Sequence, residues 1–291
     1  MEYTTFGKTG RKVSRLGYGG TVAGLKNYVH QFDPEEQKNK DQLIDAMQTA
    51  YGLGINYFDT AAGYGDGISE RIFGEALVSI PQDKIFLATK ADVGDALSAR
   101  RSLERSLKNL RRDSIDLIQI HGTVYSDEQC EKLLAPGGMT EALEKAKAEG
   151  LVKHIGFTIE CQNTALYRFI QSGRFDVMQI EYNLLFQHPY DPSWKSGSLY
   201  DAESQKVGIA CMRTVTSGIF QRWIQMVNPA NTFDYNPALI QFVLSNPLVD
   251  VALLGMRSAE RVKANVSVCN DLDSRIDLDN LHTRYANKQA K

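Results

Sequence analysis

Short apolar runs alternate with stretches of helical periodicity along almost the whole chain. The candidate strands are Val13–Gly19, Ile55–Thr60, Ile85–Lys90, Ile115–His121, His154–Thr158, Val177–Tyr182, Gly208–Arg213 and Val251–Gly255. Several are apolar nearly throughout, as in Ile115–Ile120 and Val251–Gly255, the pattern of parallel strands covered on both faces. Between them Ser98–Leu110 and Met139–Glu149 have the spacing of amphipathic helices, and Gly150 stops the second. Repeated β-then-α units at intervals of roughly 25–40 residues predict an α/β fold, with a closed (β/α)8 barrel favoured by the count over a doubly wound sheet. The barrel is expected to take in residues 1–291 as a single domain. Tyr3–Val13, with a turn at Lys8-Thr9-Gly10, predicts a hairpin across the barrel bottom, and Leu278–Gln289 a final helix on the outside. Two longer connections, Thr21–Lys40 and Thr214–Pro237, follow strands, which puts them at the C-terminal face where barrel loops form sites.

Composition narrows the partners. The 33 basic and 35 acidic residues leave a formal charge of −2, so nothing global favours nucleic acid or an anionic membrane; a small molecule is the expected partner. The basic run Arg100, Arg101, Arg105, Lys108, Arg111 and Arg112 reads as a solvated helix face. Cys130, Cys161, Cys211 and Cys269 form no CxxC or Cys/His cluster and read as reduced, mostly buried thiols. His30, His188 and His282 have no metal-ligand spacing, and no metal is expected. With no basic segment leading into an apolar one at the N-terminus, and no apolar run near the ~20 residues that span a bilayer, a soluble, cytoplasmic protein is expected. Monomer and homo-oligomer are equally compatible with this composition.

The chemistry gathers at successive strand ends. Asp59 closes Ile-Asn-Tyr-Phe-Asp, Tyr64 follows in Ala-Ala-Gly-Tyr-Gly, Lys90 closes Ile-Phe-Leu-Ala-Thr-Lys, and His121 closes Leu-Ile-Gln-Ile-His. In a parallel barrel those ends converge on one mouth. Each residue alone reads as readily as a loop or core residue; the four together form an acid/base set. A phenol is a weak proton donor at neutral pH, and a nearby ammonium stabilises the phenolate it leaves. Lys90 would tune Tyr64, Asp59 would hold Lys90 charged, and His121 would orient a substrate oxygen. Tyr125, Trp194 and Trp223 either line a substrate pocket or pack loops onto the barrel.

These segments resemble the aldo-keto reductase family. Residues 56–70 (Asn-Tyr-Phe-Asp-Thr-Ala-Ala-Gly-Tyr-Gly-Asp-Gly-Ile-Ser-Glu) look like its signature around the catalytic Asp and Tyr. Residues 88–90 and 106–121 resemble the segments carrying the family lysine and histidine, and the likeness continues through 149–158, 179–183 and 254–265. The resemblance implies that Tyr64 is the general acid, tuned by Lys90 and Asp59, with His121 orienting the carbonyl.

No GxGxxG fingerprint opens a βαβ unit, so a Rossmann nucleotide site is not expected. Barrels often hold phosphate after the last two strands, where Ser258 is placed to cap a helix beside Arg257, Arg261 and Lys263; alone, that segment reads more readily as a solvated helix. The resemblance implies that Gly255, Met256, Arg257, Ser258, Arg261 and Asn265 surround the adenosine 2′-phosphate and adenine. It therefore implies NADPH/NADP+ in preference to NADH, with Glu260 the one residue better suited to a free ribose hydroxyl. It further implies Thr158 and Gln179 at the nicotinamide carboxamide, Asp59, Gly20 and Thr21 near its ribose, and Ser217, Gly218, Ile219 and Phe220 along the pyrophosphate. Met212 stands where many members stack an aromatic ring on the nicotinamide, Ile159 where many have Asn, and Gly122 where many have a bulky residue, which would open the pocket beside His121. A Schiff-base lyase acting through Lys90 and a regulatory subunit, a role some relatives of the family fill, are the competing readings.

Overall fold

The computed structural model describes residues 1–28, 30–278 and 280. Its ten strands are β1 (Tyr3–Thr5), β2 (Lys12–Ser14), β3 (Leu16–Gly19), β4 (Tyr57–Asp59), β5 (Phe86–Asp92), β6 (Ile115–His121), β7 (Val152–Ile159), β8 (Val177–Glu181), β9 (Gly208–Met212) and β10 (Val251–Leu254). Strands β3 to β10 close into a parallel barrel in the order β10-β3-β4-β5-β6-β7-β8-β9, the (β/α)8 architecture expected. The helices are α1 (Thr21–Gly24), α2 (Gln37–Gly52), α3 (Ile68–Leu77), α4 (Ala96–Leu110), α5 (Asp127–Leu134), α6 (Met139–Ala148), α7 (Thr164–Gln171), α8 (Ser198–Ser204), α9 (Ile219–Val227), α10 (Asn236–Leu244) and α11 (Ala259–Asn270). Leu278–Gln289, expected as a final helix, falls almost entirely outside the described residues.

The run Val13–Gly19 does not form one strand. Ser14 ends it: its hydroxyl donates to the Leu16 carbonyl, while Asn56 Oδ1 accepts from the Ser14 N–H and Asn56 Nδ2 donates to the Lys12 carbonyl. The first part turns away to pair antiparallel with β1, and the second enters the barrel. The hairpin closes the barrel floor with Phe6, which is fully buried and edge-on to Tyr57 and Phe86 at 5.4 and 5.5 Å. Around it Val13, Ala88, Leu117, Val177, Ala210 and Val251 form a separate apolar cluster inside the barrel. A second, larger cluster lies between strands and helices.

Helix termini follow their capping residues. Asp95 caps α4 by accepting from the Ser98 N–H at 2.7 Å, and Ser126 and Gln129 form a reciprocal capping box at α5. On α4 Arg100 pairs with Glu104 and Glu149 and Arg105 with Asp66, and just past its end Arg112 donates to the Leu77 and Ile80 carbonyls. Cys130, Cys211 and Cys269 are buried, and Cys161 is half-buried. Among the described residues no helix is long and apolar enough to cross a membrane.

Candidate active site

The parallel register lines up side chains at the mouth. It sets Gly19 beside Asp59, Lys90 beside Gln119, Asp92 beside His121, Thr158 beside Gln179, and Glu181 beside Met212. Period-two alternation then turns Lys90 and Asp92, and Gln119 and His121, to the same side of their strands.

Tyr64 sits in the turn between β4 and α3. The Thr60 and Ala62 N–H groups donate to the Ala88 and Lys90 carbonyls, and the Ser69 hydroxyl donates to the Gly20 carbonyl and accepts from Thr60. Gly65, Asp66 and Gly67 all have left-handed backbones, which bring the chain from Tyr64 into α3. Glu70, also in the signature, is fully buried and accepts from Thr89 and Asn109, so it braces the turn.

Behind Tyr64 lies a buried ion pair. Lys90 Nζ is 2.5 Å from Asp59 Oδ2 and donates to the Thr60 carbonyl at 2.8 Å. It also lies 5.0 Å from the Tyr64 ring centroid. Burial raises the Asp59 carboxyl above its ordinary value against the pull of Lys90. For Lys90 burial opposes the charge, but Asp59 and Tyr64 outweigh it and hold the ammonium above its ordinary value. His121 stands edge-on to Tyr64 with ring centroids 5.5 Å apart. Burial and the Lys90 charge lower its pKa, against the influence of Asp92, whose Oδ1 is 2.8 Å from Nδ1.

Tyr64, Asp59 and His121 open onto one cavity of about 800 Å³ that runs to the N-terminus of α11. Of the residues expected near a cofactor, Thr21, Asp59, Thr158, Gln179, Met212, Ser217, Gly218, Gly255, Arg257, Ser258, Arg261 and Asn265 line it. Lys90, Gly20, Ile219, Phe220 and Met256 do not. Gly20 and Met256 are buried in the wall, and the Met256 carbonyl accepts from Tyr18. Phe220 packs against Tyr235 instead. At the far end Ser258 caps α11, with its hydroxyl accepting from the Arg261 N–H. The Arg261 guanidinium has no partner among the described residues. Arg257 is already engaged, donating to the Tyr28 carbonyl at 2.6 Å and stacking on Phe32 at 4.4 Å. Glu260 folds back onto its own first turn, whose backbone N–H and Ser258 hold its carboxyl below the ordinary value.

Two features escape a linear reading. Gln119 is fully buried between β5 and β7, donating through Nε2 to Asp59 Oδ1 at 3.3 Å and Gln179 Oε1 at 3.1 Å. Past the ends of β7 and β9, Arg213 bonds Glu160 at 2.8 Å beside Glu181. Only strand register brings these groups together. Gly122 lines the cavity beside His121, but the room for a side chain there is taken. A Cβ there would meet the Tyr125 ring at 2.3 Å, so the buried Tyr125, bonded to the Ile120 and Thr158 carbonyls, takes the space that Gly122 leaves. Trp194 and Trp223 are exposed and do not line the cavity.

A family model described as the aldo/keto reductase family matches residues 15–239. The chain is similar to L-galactose dehydrogenase of Arabidopsis thaliana, 26% identical over 309 residues, covering 94% of this chain and 90% of the relative. It is also similar to NADH-specific methylglyoxal reductase of Escherichia coli, 29% identical over 204 residues, covering 64% and 60%. An aldo-keto reductase of Bacillus halodurans in its holo form superposes with TM-score 0.75 at 21% identity, covering 98% of this chain and 96% of that one. One from Klebsiella pneumoniae in complex with NADP and acetate gives 0.69 at 23% identity, covering 92% and 89%.

Proposed function

Because this chain belongs to the aldo-keto reductase family and is an NAD(P)H-dependent oxidoreductase, we propose that it reduces an aldehyde or ketone to the alcohol, with NADPH as donor and Tyr64 as proton source. The observation that carries this reading is the single cavity joining Tyr64 and His121 to the capped N-terminus of α11 and Arg261. A helix N-terminus with an unpaired guanidinium suits a phosphate monoester, and the amide of Gln179 and hydroxyl of Thr158 suit a carboxamide. Gly255 and the buried, unpartnered Nε of Arg257 add a close backbone approach and a spare donor on the same wall. The residues thus fit a phosphorylated dinucleotide, and the bound nicotinamide would supply the hydride.

The chain's own groups handle the proton. Tyr64 gives its hydroxyl proton to the carbonyl oxygen, and Lys90 stabilises the phenolate that remains. Its Nζ lies 5.0 Å from the ring centroid, close enough for the ammonium to favour that phenolate. Asp59 keeps Lys90 charged, and Gln119 holds the other carboxylate oxygen. His121 orients the carbonyl from the edge of the Tyr64 ring.

Covalent chemistry through Lys90 is disfavoured by the same geometry. The ammonium is 1% exposed, tied to Asp59 and absent from the cavity wall, whereas an imine-forming lysine must be neutral and reachable. Titration with NADPH and NADH, followed by loss of nicotinamide absorbance on adding an activated aromatic aldehyde, tests the reading. Tighter binding of NADPH with turnover supports it. No turnover with any simple aldehyde or ketone contradicts it.

A further inference from the structure

Asp92 of β5 and His121 of β6 are register partners at the mouth, and Asp92 Oδ1 lies 2.8 Å from His121 Nδ1. The same carboxylate rests against the turn that carries Tyr64: a Cβ on Gly63 would lie 3.0 Å from Oδ1 and 3.2 Å from Oδ2. His121 lines the cavity, and Nε2 has no protein partner among the described residues. Asp92, whose side chain is 64% exposed, thus touches His121 from its solvent side and borders the residue before Tyr64, without lining the cavity itself.

We propose that Asp92 is a positioning residue that fixes the neutral His121 ring as the Nδ1–H tautomer, so that Nε2 can donate to a carbonyl oxygen only when the ring is protonated. A carboxylate is acceptor-only, so the hydrogen in this contact belongs to the ring. A neutral imidazole carries one N–H, and once Asp92 engages it, Nε2 presents a lone pair. That lone pair repels a carbonyl oxygen but accepts from an alcohol hydroxyl. Protonation converts Nε2 into a donor and completes, with Tyr64, a pair of donors aimed at one oxygen. The charged and titratable groups around the ring are Asp92 and Lys90 on β5, Asp59 on β4 and Tyr64 in the turn after it. Lys90 disfavours the imidazolium and the two carboxylates favour it, so removing Asp92 withdraws one of its two anionic supports.

The kinetic consequence rests on the carbonyl-reduction reading; the tautomer does not. Long-range proton–nitrogen correlation spectra of histidine-labelled protein separate the two. They are recorded from about pH 5 to about pH 9 for the unaltered protein, Asp92→Ala and Asp92→Glu, with His121 identified by its loss in His121→Asn. The neutral ring is expected as Nδ1–H in the unaltered protein. In Asp92→Ala it should move toward Nε2–H with a midpoint lower by about one pH unit, and Asp92→Glu should restore the first pattern. In parallel, kcat/KM for aldehyde reduction should fall about tenfold as pH rises through the His121 midpoint and flatten in Asp92→Ala, with nucleotide affinity unchanged. An Nε2–H tautomer in the unaltered protein, a midpoint indifferent to Asp92, or an identical pH profile in Asp92→Ala overturns the proposal. The expected tautomer without any reduction leaves the positioning role standing and removes the reductase reading instead.

Discussion

The floor and the mouth of this barrel are built from the same strands by opposite rules. At the floor Phe6, Tyr57, Phe86 and their aliphatic neighbours pack ring on ring, and the hairpin seals them from solvent. At the mouth the same strands bury Asp59, Lys90 and Gln119, groups whose removal from water is costly unless each finds a partner. Gln119 Oε1 and Arg257 Nε are buried there without one, as is the Tyr57 hydroxyl at the floor. On the proposed function the floor is a stability element and the mouth a chemical one, and substitutions should separate the two roles.

Phe6→Ala should have the largest effect on folding. Removing the plug is expected to cost about 3–5 kcal/mol in urea unfolding while leaving kcat per folded molecule nearly unchanged. A comparable loss of kcat would break the division. Next, Asp59→Asn leaves a buried ammonium uncompensated and should cost about 3 kcal/mol, with turnover lost as well. Adding Lys90→Met to that variant should recover most of the stability and none of the turnover. If the double variant is no more stable than the single one, the buried pair holds the fold rather than the chemistry.

A smaller effect is expected from Asp250, a charged group at the floor end of the barrel. It accepts from the Ile209 N–H, and burial pushes its carboxyl from 3.8 up to about 6. The folded protein thus holds this proton more tightly than the unfolded chain does. The stability it contributes is fully present below pH 3.8 and is lost as pH rises through about 6. Asp250→Asn should remove that loss, gaining on the order of 3 kcal/mol relative to the unaltered protein between low and neutral pH. Equal unfolding midpoints across the range would contradict the assignment. The smallest effect belongs to the far end of the cavity, where Arg261→Ala should weaken NADPH by roughly tenfold more than NADH. Equal weakening of both would remove the 2′-phosphate role.

Much of this was legible in the sequence because it depends on local pattern. Eight near-continuous apolar runs specify a parallel barrel, and residues at the ends of such runs must share a mouth, so Asp59, Lys90 and His121 declared themselves without coordinates. Register did not. Asp92 falls beyond the expected strand end at Lys90 and becomes a partner of His121 only because β5 continues and pairs in register with β6. Gln119 sits inside an apolar strand like a chance polar residue until β4 and β8 bring Asp59 and Gln179 against it. Ser14 broke a run whose hydrophobic pattern continues through it, because a side-chain bond turned the backbone. Gly122 does line the cavity beside His121, but the sequence could not tell that Tyr125 takes the place of the missing side chain.

The central claim is that Tyr64 delivers the proton, with its charge managed from behind by Lys90 and Asp59. Tyr64→Phe removes one oxygen and leaves the cavity, the buried pair and the nucleotide contacts in place. Reduction of an activated aldehyde under single-turnover conditions, with NADPH affinity measured in the same samples, is the direct measurement. The expected result is unchanged affinity with the rate lowered by about 10²–10⁴-fold; a rate equal to that of the unaltered protein would contradict the account.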